Sequence, residues 1–457
     1  MKVDIISAEI GSTTTVVNAF MGMGTDTPRF IGQGQSYTTV TQGDVTVGLK
    51  LAFEDLRQKL DVPQLTYDCF YATSSAAGGL KMTVHGLVHD MTVKAAKEAA
   101  LGAGANIKFI TSGKLRRTDM KRIREIGPNI ILLAGGVDYG ERDTALYNAE
   151  LLASQEELKD TPVIYAGNCQ NKEEIELIFE EAGRKVYIVD NVYPKIDLLN
   201  VVPTRRKIQE VFEEHITKAP GMEKVRELVN ASIMPTPGAV MEATQLLEKE
   251  IGDLVVVDVG GATTDVHSVT LGSEEITHIL VNPEPMAKRT VEGDLGVYVN
   301  VHNVIDLVSR DELERKMTLS KDALDELIEH YKPIPETDLE RAFIRHLTLE
   351  ASTTAIKRHA GKIRYLYGPS GKKAIAEGKD LTNVKYVIGT GGALTRLEGI
   401  EILENMLKGK GDELLPSRSV KILVDRLYIM ASLGVMSKKY PQEALSLLLQ
   451  SIDMMND

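Results

Sequence analysis

Residues 254–270, LVVVDVGGATTDVHSVT, constrain what this chain can fold into more than any other stretch. Val255, Val256 and Val257 form a β-branched apolar run that ends at Asp258, and Val266 and Val269 resume the apolar pattern beyond a Gly260-Gly261 turn. That order predicts a buried strand, a tight turn and a second strand. The glycines let backbone N–H groups approach a ligand closely. Thr263 and Thr264 add hydroxyls, and Asp258 and Asp265 add carboxylates. Amides beside carboxylates suit an anion held together with a hard cation such as Mg²⁺. Taken alone, the stretch also reads as an ordinary β-hairpin with a polar tip.

The same logic recurs near the start of the chain. Residues 3–20, VDIISAEIGSTTTVVNAF, run as an apolar strand to Glu9, turn through Gly11, Ser12, Thr13 and Thr14, and re-enter a strand at Val16 and Val17. Two facing strand–acid–glycine–threonine–strand units can clamp a polyphosphate from both sides. A third glycine feature, YVIGTGGAL at 386–394, carries Gly389, Gly391 and Gly392 from a strand into a helix. On its own it is weak, but it falls where a nucleotide site needs a loop against the base and ribose.

Between these units the pattern is α/β. A helix is expected around 48–60 on Leu49, Ala52, Phe53 and Leu56, and another over 90–102. The 69–80 segment reads as a short strand entering a loop that carries Ser74, Ser75, Gly78 and Gly79. Short apolar runs at 107–111, 130–133, 163–166 and 186–189 alternate with charged helical segments, which predicts a parallel sheet. Residues 194–219 read as a helical connector whose Arg205, Arg206 and Lys207 form a solvated face. Phe343, Leu347, Ala351 and Ala355 stripe a long helix over 338–359, and a final helix is expected over 426–438, with Ala431 and Gly434 suited to close packing. The net charge of −12 argues against nucleic acid or an anionic membrane as partner. No apolar run suits a membrane span, the first residues lead straight into a strand, and the two cysteines, Cys69 and Cys169, form no CxxC pair. A cytoplasmic setting is the expectation.

EIGSTTT, DVGGATTD and GTGGAL together resemble the two phosphate motifs and the adenosine motif of the superfamily of actin, sugar kinases and heat-shock chaperones. SAEIGSTTT, YATSSAAGGLKMTVHGLV, LLAGGVD, MPTPGAV, VVVDVGGATTDVHSV and VIGTGGALTRLEG resemble more closely the MutL-like (GlmL) family of glutamate mutase accessory proteins. The resemblance implies an α/β fold of two RNase H-like domains around an ATP–Mg²⁺ cleft, with an inserted parallel α/β subdomain. The boundaries expected are 1–105 for the first ATPase domain, 106–195 for the insert, 196–250 for a helical connector and 251–457 for the second ATPase domain, with a helical insertion around 300–360. It implies a slow ATPase that reactivates an adenosylcobalamin-dependent mutase, of the glutamate mutase or aminomutase type, by promoting exchange of damaged cobalamin. The chain itself is expected to hold ATP and Mg²⁺ but no cobalamin, and a homodimer is left open.

Carried over residue by residue, the resemblance gives Asp258 and Glu9 to Mg²⁺, and Glu9, Asp258 or Asp265 to the orientation of the attacking water. Gly11, Ser12, Thr13, Thr14, Gly260, Gly261, Thr263 and Thr264 would meet the phosphates, and Gly389, Gly391 and Gly392 the adenosine. Two departures stand out. Glu9 replaces the usual aspartate, and Met234-Pro-Thr replaces the Glu-Pro-Thr of heat-shock chaperones, with Glu242 a weak substitute. Asp265-Val-His267 resembles the start of a cobalt-ligating DxHxxG signature but lacks its glycine, because position 270 is Thr270. The alternatives are an iron–sulfur dehydratase activator built on Cys69 and Cys169, a small-molecule kinase with Asp138 as base, and a nucleotide-dependent scaffold.

Overall fold

The computed structural model describes residues 1–39, 44–75, 80–215, 222–368, 371–408 and 412–454. The chain divides into two compact units, one formed by Met1–Ala77, Pro220–Val281 and Arg289–Asp457, the other by Gly78–Ala219 and Asn282–Lys288. Gly78 and Gly79 lie outside the described residues. Among the described residues no helix is long and apolar enough to cross a membrane.

The first unit holds two five-stranded sheets of the same plan. In one, the strands run in the order Ile233–Pro235, Thr66–Ser74, Lys2–Ile10, Thr14–Met21, Arg29–Tyr37. In the other they run Ala287–Glu292, Thr264–Val269, Leu254–Val259, Tyr386–Thr390, Lys421–Val424. Each sheet is built on an antiparallel hairpin, and the first strand of each hairpin also pairs in parallel with a later strand. We call the two halves lobe one and lobe two. Val256 and Ile388 of the second sheet and Ile5, Phe20 and Tyr71 of the first share one core with helices Thr236–Ile251 and Met430–Met436. Those helices touch so closely that a Cβ on Gly434 would stand 1.8 Å from the Ala239 carbonyl oxygen, which explains the small residue there. The opposite face of the second sheet is covered by helix Asp338–His359, on which Phe343, Leu347, Ala351 and Ala355 are fully buried. Thr337 and Glu340 close that helix's N-terminus as a reciprocal capping box.

The second unit is a parallel sheet in the order Ala105–Ser112, Leu80–Gly86, Ile130–Leu133, Val163–Tyr165, Val186–Ile188. Four of its strands coincide with apolar runs in the sequence. The fifth, Leu80–Gly86, alternates in LKMTVHG and has no continuous apolar run to mark it. The helix expected over 90–102 starts as a π-turn at His89–Val93 and continues as Lys94–Gly102. Arg205 departs from the solvated face predicted for it. It is 3% exposed, packs against Gly102 and donates from Nη2 to the Ala287 carbonyl at 3.1 Å. Its neighbour Arg206 remains exposed.

Candidate functional site

The two glycine hairpins are built on one template. In the first, Ile10 pairs with Thr15 and the turn is closed by Gly11 N–H donating to the Thr14 carbonyl at 2.9 Å. In the second, Val259 pairs with Thr264 and Gly260 N–H donates to the Thr263 carbonyl, again at 2.9 Å. Glu9 and Asp258 therefore stand two residues before equivalent turns. The tips meet: a Cβ on Gly261 would lie 2.5 Å from Thr13 Oγ1. The third loop joins them, because Gly391, at φ +86°, passes so near Asp258 that a Cβ would lie 2.6 Å from Oδ1. Only glycine tolerates both that φ and that approach.

A cavity opens at this junction. Thr13 and Thr14 line it from the first hairpin, Gly260 and Gly261 from the second, and Gly392 from the third loop, together with Tyr298, Tyr331, Ile334, Arg341, Arg396 and Tyr428. Glu9, Asp258, Asp265, Gly11, Ser12, Thr263, Thr264, Gly389 and Gly391 are not among the residues lining it. Ser12 is exposed and donates to the Ser75 carbonyl. Thr263 donates to Asp265 Oδ2 at 3.1 Å. Thr264 is fully buried, its hydroxyl spent on the Leu295 carbonyl at 2.6 Å. Gly389 packs against Leu394 and Leu403.

The carboxylates are crowded. Burial, then the charges of Asp265 and Glu9, hold Asp258 well above the usual carboxylate range. Burial pushes Glu9 up to about 7, against a lowering hydrogen bond from Tyr428. Asp265 is neutralised by Arg289, which is 2% exposed and donates from Nε at 2.8 Å and Nη2 at 2.6 Å. An enclosed carboxylate pair that resists ionisation is a setting a divalent cation relieves. Among the described residues, no group of three or more His, Cys, Asp or Glu is assembled to hold a metal directly. The donor set thus fits Mg²⁺ that keeps most of its water and takes one or two carboxylates together with phosphate oxygens.

Sequence reasoning missed the segment that closes the site from lobe two. The helix expected over 426–438 begins only at Met430, and 425–428 is a turn. Asp425, fully buried, accepts from Thr390 Oγ1, Ser451 Oγ and the N–H groups of Ile429 and Met430. Tyr428 adopts φ +52° and its hydroxyl donates to Glu9 Oε1 at 3.0 Å. Arg396 lies 5.8 Å from the Tyr428 ring centre and donates to the side-chain oxygens of Gln33 and Gln35 in lobe one. One signal was available: Asp425 directly follows the apolar strand Lys421–Val424, much as Glu9 and Asp258 stand next to the ends of theirs.

Residues named for rival readings have other surroundings. Asp138 Oδ1 accepts from Cys169 N–H and Asn191 Nδ2, which holds a loop together in the second unit. Cys69 lies in the first unit and Cys169 in the second; both are free and half-buried. His267 is fully buried within a strand, and burial drives its pKa well below the usual range. Met234 is 2% exposed in the core between the sheets, and Glu242 is half-buried on helix Thr236–Ile251.

Two RNase H-like sheets joined at a glycine-lined cavity, with a parallel α/β unit inserted in the chain between strands Thr66–Ser74 and Ile233–Pro235 of the first sheet, define an actin-like ATPase fold. A family model described as MutL protein matches residues 5–452. Protein MutL of Clostridium tetanomorphum is 36% identical over 454 residues, spanning 96% of this chain and 97% of that one. The chain belongs to the MutL family. Solved structures with loosely similar chain paths include a diol dehydratase-reactivating factor in nucleotide-free form (12% identity, 97% of this chain and 100% of that one, TM-score 0.39). They also include nucleotide-free acetone carboxylase (12% identity, 95% of this chain and 70% of that one, TM-score 0.39).

Proposed function

We propose that this protein is an ATP–Mg²⁺-dependent reactivating chaperone for an adenosylcobalamin-dependent mutase of the glutamate mutase or aminomutase type. The observation that carries the reading is the pair of register-matched hairpins meeting at one cavity in a member of the MutL family. In this reading Thr13, Thr14, Gly260 and Gly261 receive the phosphates, and Gly392 lies against the adenosine beside Tyr298, Tyr331 and Ile344. Asp258, with Glu9, would hold Mg²⁺. The metal, when bound, draws charge from the phosphates and fixes their orientation. Phosphoryl transfer needs positioning and charge neutralisation more than a strong base. With Met234 where heat-shock chaperones carry glutamate, hydrolysis is slow and the useful output is movement of the lobes against a partner in the cytoplasm. Cobalamin stays on the mutase. The kinase reading loses ground because the Asp138 carboxylate already accepts two hydrogen bonds.

The test mixes this protein with cobalamin-inactivated mutase, free adenosylcobalamin, Mg²⁺ and ATP. Mutase activity should return only when ATP and this protein are both present. No recovery across glutamate mutase and the aminomutases would remove the chaperone role while leaving the ATP site to be judged by direct nucleotide titration.

A further inference from the structure

Glu9, next to the end of its strand, has a side chain one methylene longer than Asp258 on the matching hairpin. The added torsion gives it more rotamers to lose when the side chain is fixed. The restraint comes from the opposite lobe, where the Tyr428 hydroxyl donates to Glu9 Oε1 at 3.0 Å. Tyr428 is held for this. Its left-handed backbone, φ +52°, is unfavourable for an aromatic residue and persists only where the surroundings enforce it. Here the Asp425 carbonyl accepts Tyr428 N–H at 3.0 Å, and the Asp425 carboxylate accepts Ile429 and Met430 N–H at 3.2 and 2.9 Å. Gln33, from the same sheet as Glu9, donates to the Leu427 and Tyr428 carbonyls at 3.2 and 3.3 Å. Both lobes therefore grip a turn that delivers one hydroxyl to one carboxylate oxygen.

Two buried hydroxyls flank Glu9 on the same face of its sheet. Ser7 precedes it by two residues, and Thr73 is its partner in the parallel ladder. Neither hydroxyl has a hydrogen-bond partner among the described residues. Buried polar groups demand partners, so a carboxylate beside such hydroxyls is a place that orders water.

We propose that Tyr428 is a positioning residue for ATP hydrolysis: by holding Oε1 it aims the other oxygen of Glu9 at the attacking water, and only while the lobes are together. The idea rests on the reading of this cavity as an ATP–Mg²⁺ site. The water oxygen bonds to the γ-phosphorus as the bond to the β,γ-bridging oxygen breaks, releasing ADP and phosphate, while the water's proton passes through Glu9 to the phosphate. Lobe opening withdraws Tyr428 and frees Glu9 to rotate, which ties turnover to closure.

The experiment is a double-mutant cycle of Tyr428→Phe and Glu9→Asp, reading kcat, the dissociation constant of ATP–Mg²⁺ and the melting temperature. Tyr428→Phe should lower kcat about tenfold while nucleotide affinity stays within about twofold. In the Glu9→Asp background it should change nothing further, because the shorter side chain does not reach the hydroxyl. Unchanged kcat in Tyr428→Phe, or losses that simply add across the cycle, would overturn the positioning role. Failure of the wild-type protein to bind ATP–Mg²⁺ would instead overturn the ATP-site reading, and this role with it.

Discussion

At Glu9, burial in the folded protein raises the pKa from its ordinary 4.5 to about 7. The folded state therefore binds this proton more tightly than the unfolded chain does. Its stabilising effect is complete below about pH 4.5 and is lost as pH rises to about 7, a change of roughly 3 kcal/mol. Glu9→Gln should accordingly stabilise the nucleotide-free protein at pH 8 and leave it nearly unchanged at pH 4.5. Thermal unfolding of both proteins across that range in EDTA checks this, and a pH-independent difference would contradict it. Asp258 carries the metal argument. Asp258→Asn should weaken ATP binding by about 10–100-fold with Mg²⁺ present and by much less in EDTA. Titration of nucleotide under both conditions separates loss of the metal from loss of the fold.

Among the elements, the contact between Met430–Met436 and Thr236–Ile251 is the tightest test of how the lobes are joined. A Cβ at Gly434 would meet the Ala239 carbonyl oxygen at 1.8 Å, a distance only helix displacement relieves. Gly434→Ala should cost about 1–3 kcal/mol, read by chemical denaturation. Gly434 and Ala431 are legible as small residues on a helix, but the helix expected from 426 covers the turn that carries Tyr428. Helical periodicity does not reveal a left-handed residue, because φ at one position is set by what the neighbouring backbone bonds to. The basic trio misled for a similar reason. Arg205 reads as a surface charge until the Ala287 carbonyl, far along the chain, gives it a buried acceptor.

For the first unit as a whole, the hairpin tips touch at Gly261 and Thr13 beside the cavity that both line. Paired spectroscopic labels at Ser12 and Ala262 should report that the tips stay close with ATP–Mg²⁺ bound, and a longer distance would mean that nucleotide opens the lobes instead of closing them. Saturating nucleotide should also stabilise this unit, by about 2.7 kcal/mol at a hundredfold excess over the dissociation constant. Such a shift is measurable by calorimetry; at the same nucleotide concentration it should shrink to about 0.4–1.4 kcal/mol in Asp258→Asn and stay whole in a surface variant such as Arg206→Ala.

By itself the sequence determined both hairpins, their duplication, most of the parallel sheet and the long helix over 338–359. These rest on local period, turn chemistry and burial of β-branched runs, all of which act over a few residues. Tertiary structure alone decided which acids share one enclosure, that Arg289 neutralises Asp265, and that Tyr428 reaches Glu9 from the other lobe. Those pairs join residues far apart in the chain, and no local pattern encodes which distant partner a buried charge will meet.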